Sequence, residues 1–267
     1  MSQQNHLSDR SAPLVAKKTI ESKLQRWNTD GSSTLGNRLL SLIPATEWAA
    51  IEGKFDKMHL RRRQVLIEPN LPVTHAYFPI TGTASFLSRG SGEKPMETSI
   101  VGKHGFIGIP IILGTNRSPL RCSVQMSGTA FRIAAADLTI AFAEQPQFRR
   151  NLLFHIQARM TQQSVLIACN ARHTLEQRVC RWLLMALARL ESRTIPATHD
   201  LVARMLGVRR AGVTQMLARL EQQGVLLRSR GRIDITSPEE LERTSCDCFR
   251  IIQNEYDRLL TDRDVAR

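Results

Sequence analysis

Residues 198–232 read THDLVARMLGVRRAGVTQMLARLEQQGVLLRSRGR. Leu201, Val202 and Met205 carry a first short helix, and Ala203 is small where a second helix must cross closely. Gly207 supplies the positive φ that a tight turn needs. Val213, Met216, Leu217 and Leu220 follow at i, i+3, i+4 and i+7, one apolar face of a 3.6-residue period. This spacing predicts a helix-turn-helix, whose second helix enters the major groove of DNA. After Gly224, the apolar segments Val225-Leu226-Leu227 and Ile233-Asp234-Ile235 enclose Arg228, Arg230, Gly231 and Arg232, which predicts a two-stranded hairpin. A hairpin in that place is a wing with a basic tip. Arg209 and Arg210 stand in the first turn of the second helix, where the macrodipole slightly disfavours a cation. A phosphate or a guanine edge would account for them; solubilising an exposed turn is the plainer alternative.

Charge agrees with a polyanionic partner. From Arg172 to Arg232 there are twelve arginines and no lysine against four acidic residues, within a chain of formal charge +13. Such a field favours nucleic acid and makes binding depend on salt. Part of the excess reflects a preference for arginine throughout the chain. At 267 residues there is room for two modest domains. No apolar run approaches the roughly 18–20 residues of a membrane span, and the first residues lack the apolar core of a signal peptide. Five cysteines at irregular spacing do not describe a disulfide framework. A cytoplasmic protein is expected.

Outward from the opening stretch, the chain divides by pattern. Residues 1–34 are polar and predict a disordered extension. Leu35 to Phe55 predicts one or two short helices burying Leu39, Leu40, Leu42, Ile43, Trp48 and Ile51. Between about Met58 and Leu138, short apolar runs at 65–67, 77–80, 85–88, 99–102, 106–113, 123–126 and 131–133 are punctuated by Gly, Pro and Asn. Strands at that spacing predict a sandwich or barrel. From Gln147 to Ile195 neither glycine nor proline occurs, so the stretch can be helical. Leu153, Ile156, Met160, Gln163 and Ile167 alternate by three and four, the rhythm of a coiled-coil seam; a core-packed helix would show a similar stripe. Residues 237–260 predict a C-terminal helix.

Small barrel, long helix and winged helix-turn-helix together resemble the CRP/FNR family of bacterial transcription regulators. The resemblance spans about residues 35–236 and is strongest in MLGVRRAGVTQML (205–217) and HTLEQRVCRWLLMALARL (173–190). It implies an α+β chain: a double-stranded β-helix (jelly-roll-like) sensor barrel over 35–145, a dimerisation helix over 146–170, a winged helix-turn-helix over 171–236 and a helical tail over 237–267. It further implies a homodimer reading a palindromic operator on double-stranded DNA, with RNA polymerase as a partner and no membrane. The family opens its second helix with a Ser-Arg-Glu or similar triplet and places another Arg four residues on. Here Arg210 matches the first arginine, while Arg209 replaces the capping residue, Ala211 the Glu and Gln215 the later Arg. Arg210 suits guanine and Gln215 suits adenine, so a different operator is expected. The expected DNA-binding set is Thr198, Arg209, Arg210, Thr214, Gln215, Arg219, Arg228, Arg230 and Arg232.

The effector is not legible. Relatives that bind cyclic AMP carry a Gly-Glu step and an Arg-Ser or Arg-Thr; the matching segments here are Gly105-Phe106-Ile107-Gly108 and Pro119-Leu120-Arg121-Cys122. The carboxylate is missing, and Arg121 falls one residue out of register, which on a strand turns it to the other face. Gly105, Phe106 and Arg121 remain the effector candidates, with a cyclic nucleotide open but disfavoured. No cysteine precedes Cys122, which excludes the family's N-terminal iron–sulfur site. His75, His104 and Cys122 are haem ligands on paper only. Cys246-x-Cys248 is too short a motif to name a metal site, so packing is the expectation with a redox or metal role as the alternative, no metal ligand is assigned, and the cofactor stays unknown. No His-x-His pair, P-loop, Gly-x-Ser-x-Gly or His-Glu-x-x-His occurs. An enzyme is not expected; a non-sequence-specific architectural DNA binder, or more remotely a barrel metalloenzyme, is the alternative.

Overall fold

The computed structural model describes residues 35–88, 96–190 and 192–260, so the polar extension lies outside the described residues. The chain first makes α1 (Arg38–Ser41) and α2 (Ala45–Ile51). Asn37 caps α1, accepting from the Leu39 and Leu40 N–H groups. Its own amide donates to Pro79 O at 2.8 Å and Gly105 O at 3.0 Å, which fastens this entry helix to the barrel. Next come β1 (Phe55–Leu60), β2 (Val65–Ile67), β3 (His75–Pro79), β4 (Thr83–Ser88), β5 (Met96–Val101), α3 (Ile109–Ile112), β6 (Arg121–Met126) and β7 (Gly128–Ala134). They form two antiparallel sheets, ordered β1-β7-β3 and β2-β6-β4-β5. The architecture is jelly-roll-like within an α+β chain. Between the sheets lies an aromatic core in which Phe78 stacks on Phe106 at 5.5 Å and meets Phe55 and Phe148.

Two local expectations change. The apolar run at 106–113 is not a strand: Ile107 makes one bridge to Tyr77, then α3 begins. Gly108 adopts φ 135°, and a Cβ there would lie 2.6 Å from the Ala76 Cβ. Pro110 in the first turn has no N–H to give a ladder. Strand β1, absent from the sequence reading, pairs with β7 from Phe55↔Ile133 to Leu60↔Gly128.

Helix α4 (Ala135–Glu144) leads to the 27-residue α5 (Pro146–Arg172), then α6 (Leu175–Leu190). The break between α5 and α6 is a capping box. The Gln177 N–H donates to Thr174 Oγ1 at 3.3 Å, and the Thr174 N–H donates to Gln177 Oε1 at 3.1 Å. Beyond it, β8 (Thr194–Ile195), α7 (His199–Leu206), α8 (Arg210–Gln222), β9 (Leu226–Ser229) and β10 (Arg232–Ile235) build the winged helix-turn-helix. The expected two-stranded hairpin gains a third strand, in the order β8-β10-β9. A second core joins Val179, Leu183 and Leu187 of α6 to Val202, Val213, Leu217, Leu220 and Ile233.

The expected single tail helix is two, α9 (Pro238–Thr244) and α10 (Cys248–Leu259). Ser245 is extended (φ −71°, ψ 159°), which ends α9 before α10 begins. Helix α10 lies along α5, its end buried in the barrel core through Leu259 and Leu260. The Arg38 guanidinium closes this end by donating to Leu260 O at 2.9 Å.

Candidate nucleic-acid interface

The turn between α7 and α8 is set by Gly207, which caps α7 at φ 64°. Thr198 caps the other end of α7, its hydroxyl accepting from the Leu201 N–H at 3.1 Å. Helix α8 has no such device. Arg209 occupies its N-cap without a side-chain hydrogen bond, so the first N–H groups of α8 are left for solvent or an external anion. Val213, Leu217 and Leu220 point into the core with no exposure, while Arg209, Arg210, Ala211, Gln215 and Arg219 face outward. Gly212 carries no motif in the sequence, yet a Cβ there would lie 3.0 Å from Leu175 Cδ2, where α8 crosses the start of α6.

Of the nine expected DNA contacts, Thr198 is the cap of α7 and the other eight fall into two groups. Thr214 is half-buried and shares a hydrogen bond with His199 Nδ1 at 3.0 Å, tying the two helices together. Arg219 approaches Glu176 at 3.5 Å, and Arg232 pairs with Asp234 at 3.0 Å. Arg228 grips Glu221 with Nε at 2.8 Å and Nη2 at 2.5 Å, while its backbone N–H donates to the same carboxylate at 2.8 Å. Those hydrogen bonds hold Glu221 below the ordinary carboxylate range. Burial first, then Arg228 and Arg210, lowers the His199 pKa and favours its neutral ring. Arg209, Arg210 and Arg230 have no ion pair among the described residues; with Gln215 they are the side chains left for a ligand.

On α5 the heptad-like stripe faces outward. Leu153, Met160 and Ile167 are 44%, 62% and 73% exposed, Gln163 is exposed and Ile156 half-buried. The opposite face, with Phe148, Leu152, His155 and Ala158, is buried against the barrel and α10.

The effector candidates do not converge. Phe106 is fully buried in the aromatic core. Gly105 stands against α5, where a Cβ would come within 2.7 Å of His155 Cε1. Arg121 lies on the outer face of β6, 3.3 Å from Glu68, while its neighbour Cys122 is buried. Burial pushes the Cys122 thiol up to about 12, as it does Cys180. His155 is held well below the ordinary histidine range, first by burial and then by Arg159, His104 and Arg189. A separate cavity of about 870 Å³ opens between barrel and reader, lined by Ser99, Gln162, Arg181, Trp182, Arg189 and Arg204 among others.

The expectation that no residue holds a metal, and that Cys246 and Cys248 only fill space, is corrected. The helix break at Ser245 places both beside Cys169 and His173 at the end of α5. All four ligand atoms lie within 4.8 Å of one another, with Cys169 Sγ 3.5 Å from Cys246 Sγ and Cys248 Sγ 3.5 Å from His173 Nδ1. The cluster is at the C-terminal end of the chain, unlike the family's N-terminal cysteine group. Cys169 and His173 are one helical turn apart, a local signal that the sequence reading passes over because their partners lie 75 and 77 residues away.

Residues 177–244 match the family described as the Crp-like helix-turn-helix domain. No curated protein matches the chain. Among solved structures, FixK2 from Bradyrhizobium japonicum is 16% identical with a TM-score of 0.64, covering 72% of this chain and 98% of its own. A CRP/FNR-family transcriptional regulator from Thermus thermophilus is 17% identical with a TM-score of 0.61, covering 71% and 98%. The c-di-GMP-responsive global regulator CLP of Xanthomonas campestris is 14% identical with a TM-score of 0.60, covering 72% and 99%. The chain thus carries a Crp-like helix-turn-helix domain on the fold of the CRP/FNR-family transcription regulators.

Proposed function

We propose that this protein is a sequence-specific DNA-binding transcription regulator that works as a homodimer on a palindromic operator. One observation carries the reading. The second helix of a Crp-like helix-turn-helix presents Arg209, Arg210 and Gln215 outward, with neither arginine ion-paired among the described residues, while its other face is sealed in the core. Arg210 is suited to guanine O6 and N7, Gln215 to adenine, and Arg209 with Arg230 at the wing tip to phosphate. The internally paired Arg219, Arg228 and Arg232 add field rather than direct contacts.

The exposed stripe of Leu153, Ile156, Met160, Gln163 and Ile167 is the surface for a second copy, in parallel along α5. Two-fold pairing then sets two recognition helices about 34 Å apart, one turn of DNA. An unidentified signal received by the barrel shifts α5 against α6 and changes that spacing. The cavity between barrel and reader is where such a shift is felt. The role is non-enzymatic and cytoplasmic, with RNA polymerase as the partner on the promoter. No helix among the described residues is long and apolar enough to cross a membrane.

Selection of bound duplexes from random DNA at stated salt, followed by footprinting, tests this. The expected result is one bounded protection over two inverted half-sites. A continuous protection with no enriched sequence would overturn it in favour of an architectural DNA binder.

A further inference from the structure

We propose that Cys169, His173, Cys246 and Cys248 form a closed, tetrahedral site for one zinc ion, which pins the C-terminal tail to the joint between α5 and α6. Two ligands come from the end of α5 and two from the tail. Cys169 is in the last turn of α5 and His173 is its C-cap; Cys246 lies in the break before α10, and Cys248 is the first residue of α10.

Three observations converge. The first is geometric. Thiolates about 2.3 Å from a tetrahedral zinc sit about 3.8 Å apart, and imidazole nitrogen slightly closer. Four donor atoms within 4.8 Å of one another enclose a single ion. A polynuclear iron–sulfur cluster would hold its cysteines further apart around several metals. Four protein ligands also complete the coordination shell, the mark of a structural rather than a catalytic zinc.

The second is packing. Cys169, Cys246 and Cys248 are buried, yet they belong to neither hydrophobic core. They form a group of their own with only Val165 packed against it. Cys122 and Cys180, by contrast, are absorbed in the two main cores. Three thiols gathered away from the apolar cores call for a reason other than hydrophobic burial.

The third is charge. Arg181 is 3% exposed, its Nε has no hydrogen-bond partner, and its Nη1 meets only the Met185 sulfur at 3.7 Å. Burial disfavours its charge, and it has no carboxylate partner among the described residues. A buried guanidinium needs an anion. Three thiolates and one neutral imidazole around a divalent cation carry one net negative charge, which Arg181 neutralises. Loading releases the thiol protons to solvent and involves no electron transfer.

The consequence for regulation rests on the DNA-binding role proposed above. The ion fixes the turn at His173, from which the reader leaves the dimer helix. Removing the metal frees α10 from α5 and loosens the spacing of the recognition helices.

The test uses the full chain, purified without oxygen. Elemental analysis should find about one zinc per chain, and cobalt(II) loading should give intense thiolate-to-cobalt and tetrahedral d–d bands. Cys169→Ser and Cys248→Ser should abolish both, whereas Cys122→Ser, outside the cluster, should keep them. Arg181→Met retains all four ligands and should weaken zinc affinity about 10–100-fold. Because the serine variants can misfold, the wild-type chain is also stripped with a mercurial and a chelator. One zinc should leave, with a lowered Tm and at least about tenfold weaker operator binding, both restored on reloading. Sub-stoichiometric metal with a featureless cobalt spectrum would overturn the site, as would several irons with sulfide. Full zinc with unchanged DNA affinity after stripping would overturn the regulatory role alone. Zinc-loaded protein that selects no DNA sequence would instead count against the proposed function and leave the site intact.

Discussion

The helix-turn-helix and the barrel use buried and exposed positions in opposite ways. In α8, the functional candidates are what the core leaves over: Val213, Leu217 and Leu220 face in, so Arg210 and Gln215 must face out. In the barrel, the effector candidates are claimed by the fold. Phe106 is a core ring, Gly105 makes room for His155, and Arg121 pairs with Glu68 on the outer surface. A site on one helix face is specified by thirteen consecutive residues. A site inside a barrel needs side chains from several strands and α5, and those depend on register. The reader is therefore a local object and the sensor a collective one.

The contrast can be broken most forcefully in the barrel. Phe78→Ala removes a fully buried ring that touches three other aromatics, and should cost about 3–5 kcal/mol of stability. Urea unfolding measures it; a loss under about 1 kcal/mol would show that the barrel core is not a cooperative unit. In the reader the effect should move from stability to binding. Arg210→Ala should leave the unfolding midpoint unchanged and cost about 1–3 kcal/mol of operator affinity, relaxing preference at one base pair. An equal loss on every sequence would make Arg210 a phosphate contact.

A third test uses pH. His155 is neutral in the folded protein because burial and neighbouring cations lower its pKa, whereas in the unfolded chain it takes up a proton near the ordinary histidine pKa. The unfolded state then binds more protons below that value, so stability is lost as pH falls from about 7 to 5, by up to about 1.4 kcal/mol per pH unit. His155→Gln should flatten that limb of the Tm–pH curve. An unchanged slope would place the titration elsewhere. The smallest effect belongs to the wing. Arg230→Ala should weaken binding uniformly and lower the salt slope by about 1. Arg228→Ala, which breaks the grip on Glu221, should show its loss mainly in stability. Reversal of these two outcomes would reassign the wing's contact residue.

How much is legible in the sequence varies with the range of the interactions. The turn glycine Gly207, the apolar face of α8 and the wing turn at Gly231 each depend on neighbours within a few residues, and all appear as read. The capping box at Thr174 is equally local but goes unread, because an unbroken apolar rhythm outweighs a two-residue signal. The strand β1 is hidden because its burial follows its partner β7 rather than an alternation of its own.

By itself, the order of residues determined the winged helix-turn-helix, its cationic outer face and the three-four apolar rhythm of α5, since helical and hairpin periodicities are set by the backbone; that the stripe faces outward came from the packing of the opposite face. Tertiary structure alone decided three further things: which arginines stay unpaired, that Phe106 belongs to the core, and that Cys169 and His173 meet Cys246 and Cys248. Each depends on chain segments distant in sequence, brought together by the burial of apolar surface. The folded packing specifies those encounters, and no local pattern records them.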